Sequence, residues 1–319
     1  MGQLTQAAYR MATPLAVMMH RLLQRAGQLD HARALVRRDA ELDAMPTADP
    51  WNWRSKVAKL IDPPRTHSIA EARFAGRSVW VDPSEVVGRA VLYGLPFEAA
   101  ELRLFDSLIR PGDIVFDVGA NFGLYSALAL RRLGDGGKLF AFEPNPRMHR
   151  LLERNATSRV TGQVERLELG LSNQEGEAQF VVAEDSAYSS LADTGRLGVS
   201  ETIRVSITTL DAFVRARAIP RVNVMKIDVE GFEYEVLSGG RQLLERDDAP
   251  VLMIEIADVN LAQRGRSRAD VLGLLGSLGF EVHAIRVDGA LTAARPDYAG
   301  AEVDFLAFKN WATDRVKPS

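Results

Sequence analysis

The sequence predicts a doubly wound α/β domain preceded by a helical extension. Three observations point there. From Pro111 onward, short apolar runs alternate with amphipathic segments. That is the βαβ rhythm of a parallel sheet covered on both faces. The first run passes through a glycine-bearing turn into a helix, as nucleotide-type sites in α/β folds do. The second run ends on an acid, Glu143, 24 residues beyond Gly119.

Composition removes several classes of protein. With 319 residues, 46% hydrophobic and 25% charged, the chain is neither disordered nor collagen-like. It has no cysteine, which excludes disulfides, thiolate zinc sites and cysteine nucleophiles. A net charge of −3 leaves no global footprint for nucleic acid, and none is expected as a partner. Of the 39 basic residues only six are lysine, so single arginines carry little functional weight. No apolar run reaches the roughly 18 residues of a spanning helix. The stretch Met11 to Met19 is broken by Pro14 and lacks a cleavage site, and Gln6 spoils a myristoylation pattern. A cytoplasmic location is expected.

The elements follow in order. Residues 1–65 read as a helical extension and proline-rich linker. Leu15, Met18, Met19, Leu22 and Leu23, then Leu29, Ala32, Leu35 and Val36, recur at helical spacing. Packing or self-association is the expected role. Peripheral membrane contact is the alternative, disfavoured because the polar face is neither strongly basic nor lysine-rich. Pro46, Pro50, Pro63 and Pro64 surround Trp51 and Trp53, which are expected to pack down. Residues 66–110 supply lead-in strands over Ala72–Trp80 and a helix from Glu98 to Ile109, ended by Pro111-Gly112.

The main domain spans 111–310. Its strands are expected at Ile114–Val118, Leu139–Phe142, Val164–Leu169, Val222–Ile227 and Val251–Ile256. Its helices are expected at Phe122–Leu133, Pro146–Ala156, Leu210–Ala218 and Phe232–Leu244. An insertion at 174–209 carries two alternating runs, Glu177–Val182 and Thr202–Ile207, which predict an antiparallel pair. Tyr188, Ser189 and Ser190 suggest a lid there. Glu281–Val287 and Glu302–Phe308 predict a terminal hairpin, and 311–319 a tail.

Four motifs carry chemistry. In Phe116-Asp117-Val118-Gly119-Ala120-Asn121-Phe122-Gly123, Gly119 allows a tight turn and close ligand approach, and Gly123 lets the helix pack near the strand. The spacing is Gly-x-x-x-Gly, and Asp117 precedes it. A carboxylate there suits a cation or hydroxyls better than a pyrophosphate. Glu143-Pro144 after the second strand suits a ribose diol, in NAD or S-adenosylmethionine alike. In Lys226-Ile227-Asp228-Val229-Glu230-Gly231, charges interrupt a buried strand, and alternation puts Lys226, Asp228 and Glu230 on one side. Burying Lys226 requires a partner such as Asp228 or a ligand. Glu255 ends the next strand and is expected beside Asp228. The five histidines show no metal-ligand spacing, and His149 reads as solvated. There is no serine nucleophile elbow.

These residues resemble the FkbM family of S-adenosylmethionine-dependent methyltransferases over roughly Phe97 to Glu255. The resemblance rests on Phe97-Glu98, the Asp117–Gly123 loop with Leu124-Tyr125, Phe142-Glu143-Pro144, Asn155, Thr209-Leu210-Asp211, and Lys226–Glu233 with Leu237, Gly239 and Gly240. It implies a class I methyltransferase Rossmann-like sheet of seven strands, ordered 3-2-1-4-5-7-6, the last antiparallel. It implies S-adenosylmethionine as methyl donor, held by Glu98, Asp117, Gly119, Ala120, Asn121, Gly123, Glu143, Pro144 and Asp228. Ser172 stands where many class I enzymes place an acid near the adenine. It also implies methyl transfer to a hydroxyl, often on a glycan, glycolipid or glycosylated natural product, with a non-sugar small molecule as the alternative.

A hydroxyl is a weak nucleophile, so a base is expected. Asp228, Glu230 and Glu255 are candidates, Asp228 preferred for base duty or contact with the cofactor and Glu230 or Glu255 as the other player, with Lys226 holding a carboxylate ionised. Mg²⁺ on the three acids is the less favoured arrangement. The rival classes are an NAD-dependent oxidoreductase, opposed by the glycine spacing and Asp117, and a non-catalytic interaction protein, opposed by the intact motifs.

Overall fold

The computed structural model describes residues 16–37, 53–63, 66–183, 189, 191, 199–301 and 303–316. Trp51, Tyr188, Ser190, Pro46, Pro50 and Pro64, and with them most of the expected lid, lie outside the described residues, as does the side chain of Trp53. The chain divides into two compact units, Met1–Ala99 and Ala100–Ser319.

The first unit holds helices α1 (residues 16–25), α2 (Leu29–Val36) and α3 (Trp53–Ile61), a hairpin of β1 (Ala70–Phe74) and β2 (Arg77–Val81), and α4 (Val86–Tyr93). α3 occupies what the prolines suggested was a linker. The hairpin alternates: Ala70, Ala72 and Phe74 are buried while Glu71 and Arg73 are exposed, the pattern of a strand with one wet face. Asp62, fully buried, anchors the unit's interior. It accepts from Arg33 at 3.0 and 2.6 Å and from the Tyr93 hydroxyl at 2.7 Å. α1 buries Ala16 and His20 and exposes Met18 and Leu22. Among the described residues no helix is long and apolar enough to cross a membrane.

The second unit takes up within α5 (Ala99–Leu108) and is built on one main sheet. Its parallel strands are β3 (Ile114–Val118), β4 (Lys138–Phe142), β5 (Val164–Leu167), β9 (Val224–Ile227) and β10 (Val251–Glu255). The antiparallel strands β11 (Glu281–Ile285), β12 (Leu291–Ala293) and β13 (Asp304–Phe308) complete it. The order β12-β11-β13-β10-β9-β3-β4-β5 contains the expected 3-2-1-4-5-7-6 arrangement, with β13 antiparallel to both neighbours. β12 is an eighth strand, added at the edge. The terminal hairpin forms as expected, Glu281 facing Phe308.

Helices α6 (Leu124–Arg132), α7 (Pro146–Asn155), α8 (Leu210–Ala216) and α12 (Arg268–Ser277) connect the strands. Local chemistry sets their starts. Asn145 caps α7 by accepting from the Arg147 amide at 3.0 Å, with Pro146 at the first helical position, where its missing N–H costs nothing. Ser267 and Asp270 form a reciprocal cap on α12. The single helix expected over Phe232–Leu244 is two, α9 (Glu233–Ser238) and α10 (Arg241–Glu245), interrupted at Gly239-Gly240. Asp211 caps α10, its carboxylate accepting from Gln242 and Leu243 amides at 2.9 Å.

The strand expected over Val164–Leu169 stops at Leu167. Gly170–Ser172 (β6) joins a separate sheet with β7 (Gly176–Ala183) and β8 (Val199–Thr209), in the order β6-β8-β7. β7 and β8 are the predicted antiparallel pair. One face of the main sheet packs Phe116, Phe140 and Phe142 around Phe213 of α8, with ring centroids 4.9 to 5.8 Å apart. Such tilted and edge-on contacts add to their area burial. The strand residues pointing the other way include Asp117 and Lys226, so that face carries charge at the strand ends.

Candidate active site

The site is built from the C-terminal ends of β3, β4, β9 and β10, where open α/β sheets place ligands. The first loop leaves β3 at Gly119, with φ of +81°. A Cβ on Gly119 would stand 1.7 Å from the Asp228 carbonyl oxygen. Only glycine permits both that backbone conformation and that approach. At Gly123 the crowding group is Leu152 of α7, so α7, rather than the strand, sets that glycine.

Every amide of this loop is spoken for. Gly119 and Ala120 donate to the Phe142 carbonyl at 3.0 and 2.9 Å, and Gly123 to Ala120 at 2.8 Å. Asn121 donates to Glu143 Oε2 at 2.7 Å, and Phe122 to Asn121 Oδ1 at 2.8 Å. Asn155 locks the loop from behind, its Nδ2 donating to the Phe122 carbonyl at 2.7 Å. A pyrophosphate-binding loop turns free amides to its ligand; the amides of residues 119–123 are all engaged within the protein. That disfavours the dinucleotide reading.

Two buried acids flank the loop. Asp117 is 1% exposed. Its Oδ2 accepts from the Ser126 hydroxyl at 2.6 Å, and its Oδ1 has no hydrogen-bond partner. Burial pushes this carboxyl up, against the pull of Lys226 and Ser126. A buried acceptor left unpaired calls for a donor, and a ligand ammonium is one. Glu143 accepts from the amides of Asn121 and Asn145, both at 2.7 Å. Burial still pushes it up to about 7. Each oxygen keeps a lone pair for a hydroxyl donor. The approach at Gly119 is that of the Asp228 backbone and not of a ligand; the orphaned carboxylate oxygen and the paired carboxylate are what fit the ammonium and ribose diol of S-adenosylmethionine. Pro144 follows Glu143 and leads into the α7 cap.

Lys226 stands one strand over, facing Asp117 in register. Its ammonium donates to Asp228 Oδ2 at 2.6 Å and lies 4.5 Å from the Tyr125 ring centre. Burial raises Asp228, but the neighbouring ammonium and hydrogen bonds from Lys226 and Glu255 hold it below the usual range. Glu255 goes the other way. Burial, together with Asp228, Glu230 and Asp304, drives it well above an ordinary carboxyl. Asp304 faces Glu255 across the antiparallel pair. Asp228 and Glu255 thus form a pair in which Asp228 carries the charge and Glu255 the proton.

Glu230 lies in the left-handed region, φ +51°, uncommon for a non-glycine residue. Its Oε2 accepts from Asn260 Nδ2. The turn beneath is held by Glu233, whose Oε1 accepts from Gly231 at 3.0 Å and Val229 at 3.3 Å. Burial pushes Glu233 up to about 7. Asp228, Glu230 and Glu255 each present an oxygen within 4.8 Å of the others, a donor set that could take a hard cation.

Folding therefore brings together Asp117, Gly119, Ala120, Asn121, Gly123, Glu143 and Pro144 in one lobe, and Lys226, Asp228, Glu230 and Glu255 in the other. Ser172 sits in the second sheet, 3% exposed, its carbonyl pressed where a Gly239 side chain would go. Glu98 belongs to the first unit, with φ of +38°. His149 is half-buried, with Nε2 enclosed and unpartnered, and not the solvated side chain expected. Sequence reading missed Ser126, Asn260 and Asp304, while Tyr125 entered only through the family motif. Only Asp304 left a trace, as an acid opening an otherwise apolar strand, Asp304–Phe308.

The chain is similar in sequence to known methyltransferases. The model of the FkbM methyltransferase domain matches residues 117–282. The hexuronic acid methyltransferase AglP of Haloferax volcanii is 34% identical over 183 residues, 57% of this chain and 71% of its own. The 31-O-demethyl-FK506 methyltransferase FkbM of Streptomyces tacrolimicus is 29% identical, over 64% of this chain and 83% of its own. A SAM-dependent O-methyltransferase structure from Thermotoga maritima aligns over 76% of each chain at 15% identity and a TM-score of 0.35. The Gly119–Gly123 loop and the acids Asp117, Glu143, Asp228, Glu230 and Glu255 lie inside the matched region and Asp304 beyond it, and the chain belongs to the FkbM family of S-adenosylmethionine-dependent methyltransferases.

Proposed function

We propose that this methyltransferase acts on a hydroxyl oxygen of a sugar-type acceptor. The observation that carries the reading is the Asp228–Glu255 pair, with Lys226 at its back. S-adenosylmethionine, when bound, supplies an electrophilic methyl on a sulfonium. Asp117 and Glu143 would hold its ammonium and ribose hydroxyls.

The chain's own work is to orient the acceptor and take its proton. A hydroxyl attacks well only if its proton leaves as the new bond forms, which favours a base titrating near the working pH. An ordinary carboxylate is too weak a base. Glu255 is raised by burial and by three neighbouring acids, so once ionised it is the strongest base of the group. Asp228, kept charged by Lys226, orients the hydroxyl and sustains that elevation. Glu230, fixed by Asn260, offers a further acceptor for a vicinal hydroxyl. Relatives named for a hexuronic acid and for 31-O-demethyl-FK506 make sugars the first acceptors to test and macrolide-type alcohols the second.

The experiment is transfer of isotope-labelled methyl from S-adenosylmethionine to a panel of hexoses, hexuronic acids, macrolide alcohols, amines and carboxylic acids. A methyl ether on a sugar, located by NMR, is expected. Methyl found on nitrogen or a carboxyl group would overturn the reading.

A further inference from the structure

We propose that the first unit carries a divalent transition-metal site, of the kind Zn²⁺ occupies, formed by His67, Asp82 and Glu85. His67 Nδ1 lies 3.1 Å from Asp82 Oδ2 and 3.8 Å from Glu85 Oε1. All three donor atoms fall within 4.8 Å of one another. A tetrahedral ion with bonds of about 2.0–2.1 Å holds its donors about 3.3 Å apart. The observed separations bracket that value, and small side-chain rotations close the remainder.

The surroundings aim these donors at one point. The Ser84 amide and hydroxyl donate to Asp82 Oδ1 at 3.0 and 2.7 Å, which turns Oδ2 towards His67. Glu85 precedes the first turn of α4, which lies against Asp82. A Cβ on Gly88 would stand 2.2 Å from the Asp82 carbonyl oxygen, so glycine there lets the helix come close enough to deliver Glu85. Arg89, one turn on, directs Nη2 to the carbonyls of Ser84 and Asp62 at 2.6 and 3.3 Å.

One imidazole nitrogen faces two carboxylates, and neutral imidazole with two carboxylates balances a divalent charge. The carboxylates are 3% and 5% exposed while the His67 side chain is 43% exposed. The donors are therefore desolvated on one side and open to an entering ion, with water as fourth ligand, on the other. One nitrogen with two carboxylate oxygens suits Zn²⁺ and its neighbours better than Mg²⁺ or Ca²⁺. The ion would tie the segment around His67 to the turn between β2 and α4, 15 to 18 residues along the chain. It would act as a staple independent of methyl transfer.

The test uses the tag-free full-length chain stripped with EDTA. Calorimetric titration with Zn²⁺ is expected to show one saturable ion per chain, with a raised melting temperature. Co²⁺ is expected to give the visible absorption of a tetrahedral nitrogen–oxygen site. His67→Ala should weaken binding at least tenfold and abolish the melting shift. Glu230→Gln and Glu255→Gln should leave both unchanged, which separates this site from the strand-end acids. His67 is half-exposed, so His67→Ala is expected to fold, and His67→Gln serves as a second variant. Absence of binding, or binding and absorption that survive His67→Ala, would overturn the proposal, as would a preference for Mg²⁺ or Ca²⁺.

Discussion

Asp228 and Glu255 face each other across the ends of two parallel strands, each presenting an oxygen within 4.8 Å of the other's, and each biases the other's proton. The register that pairs Ile227 with Ile254 puts them on the next rung. Lys226 Nζ, 2.6 Å from Asp228 Oδ2, settles which partner keeps the proton.

That pair predicts the pH dependence of turnover. kcat/KM should rise with pH as the pair loses its second proton, and level off above that apparent pKa, higher than an ordinary carboxyl. Glu255→Gln should lower kcat by about 10²–10⁴-fold, the range for a lost general base. It should flatten the profile and change S-adenosylhomocysteine affinity little. An unchanged kcat in Glu255→Gln would remove Glu255 from the chemistry.

Asp117 tests the cofactor lobe. Asp117→Asn keeps an acceptor for Ser126 but removes the charge meeting an ammonium. Calorimetric affinity for S-adenosylhomocysteine should fall by about tenfold or more, the equivalent of about 1.4 kcal/mol. A melting temperature near that of the parent chain would show that the loss is not unfolding.

Glu143 makes cofactor affinity pH-dependent. Ribose hydroxyls would donate to its ionised form, and burial pushes its pKa in the free protein up to about 7. Affinity should therefore increase through neutral pH, about tenfold from pH 6 to pH 8. Glu143→Gln should bind more weakly above pH 7 and lose the slope assigned to this residue.

Glu233 makes stability pH-dependent in the opposite direction. Its folded pKa of about 7 lies above the ordinary 4.5, so the folded state binds the proton more tightly. The stabilisation is complete below about pH 4.5 and is lost as pH rises through 7. Glu233→Gln keeps the acceptor for the Gly231 amide and removes the buried charge. It should unfold at higher denaturant than the parent at pH 8, by up to about 3 kcal/mol, with little difference at pH 5.

Gly119→Ala should be poorly tolerated. The new methyl meets the Asp228 carbonyl, 1.7 Å away before relaxation, at a φ of +81°. Loss of about 3 kcal/mol or more is expected, read by denaturant melts, with cofactor binding falling alongside.

Local pattern was sufficient for the βαβ frame, because continuous apolar strands and capped helices are written in neighbouring residues. β3 runs over Ile114–Val118 and α7 starts at Pro146, as their residues predict. The loop glycine, Glu143 and the Lys226–Asp228 spacing were equally legible, since strand alternation alone puts Lys226 and Asp228 on one side. Other features waited for distant segments to meet. Asp304 reaches Glu255 only because β13 runs antiparallel beside β10, some fifty residues later in the chain. Ser126 reaches Asp117 only because α6 folds back over β3. β6 left the main sheet for the pairing offered by β8, which no pattern in Val164–Leu169 records. His67 showed no ligand spacing in the chain, yet its donors converge with those of Asp82 and Glu85. Periodicity reports which way a side chain points within its own element; which charge stands opposite depends on packing between elements, and that existed only once the chain had folded.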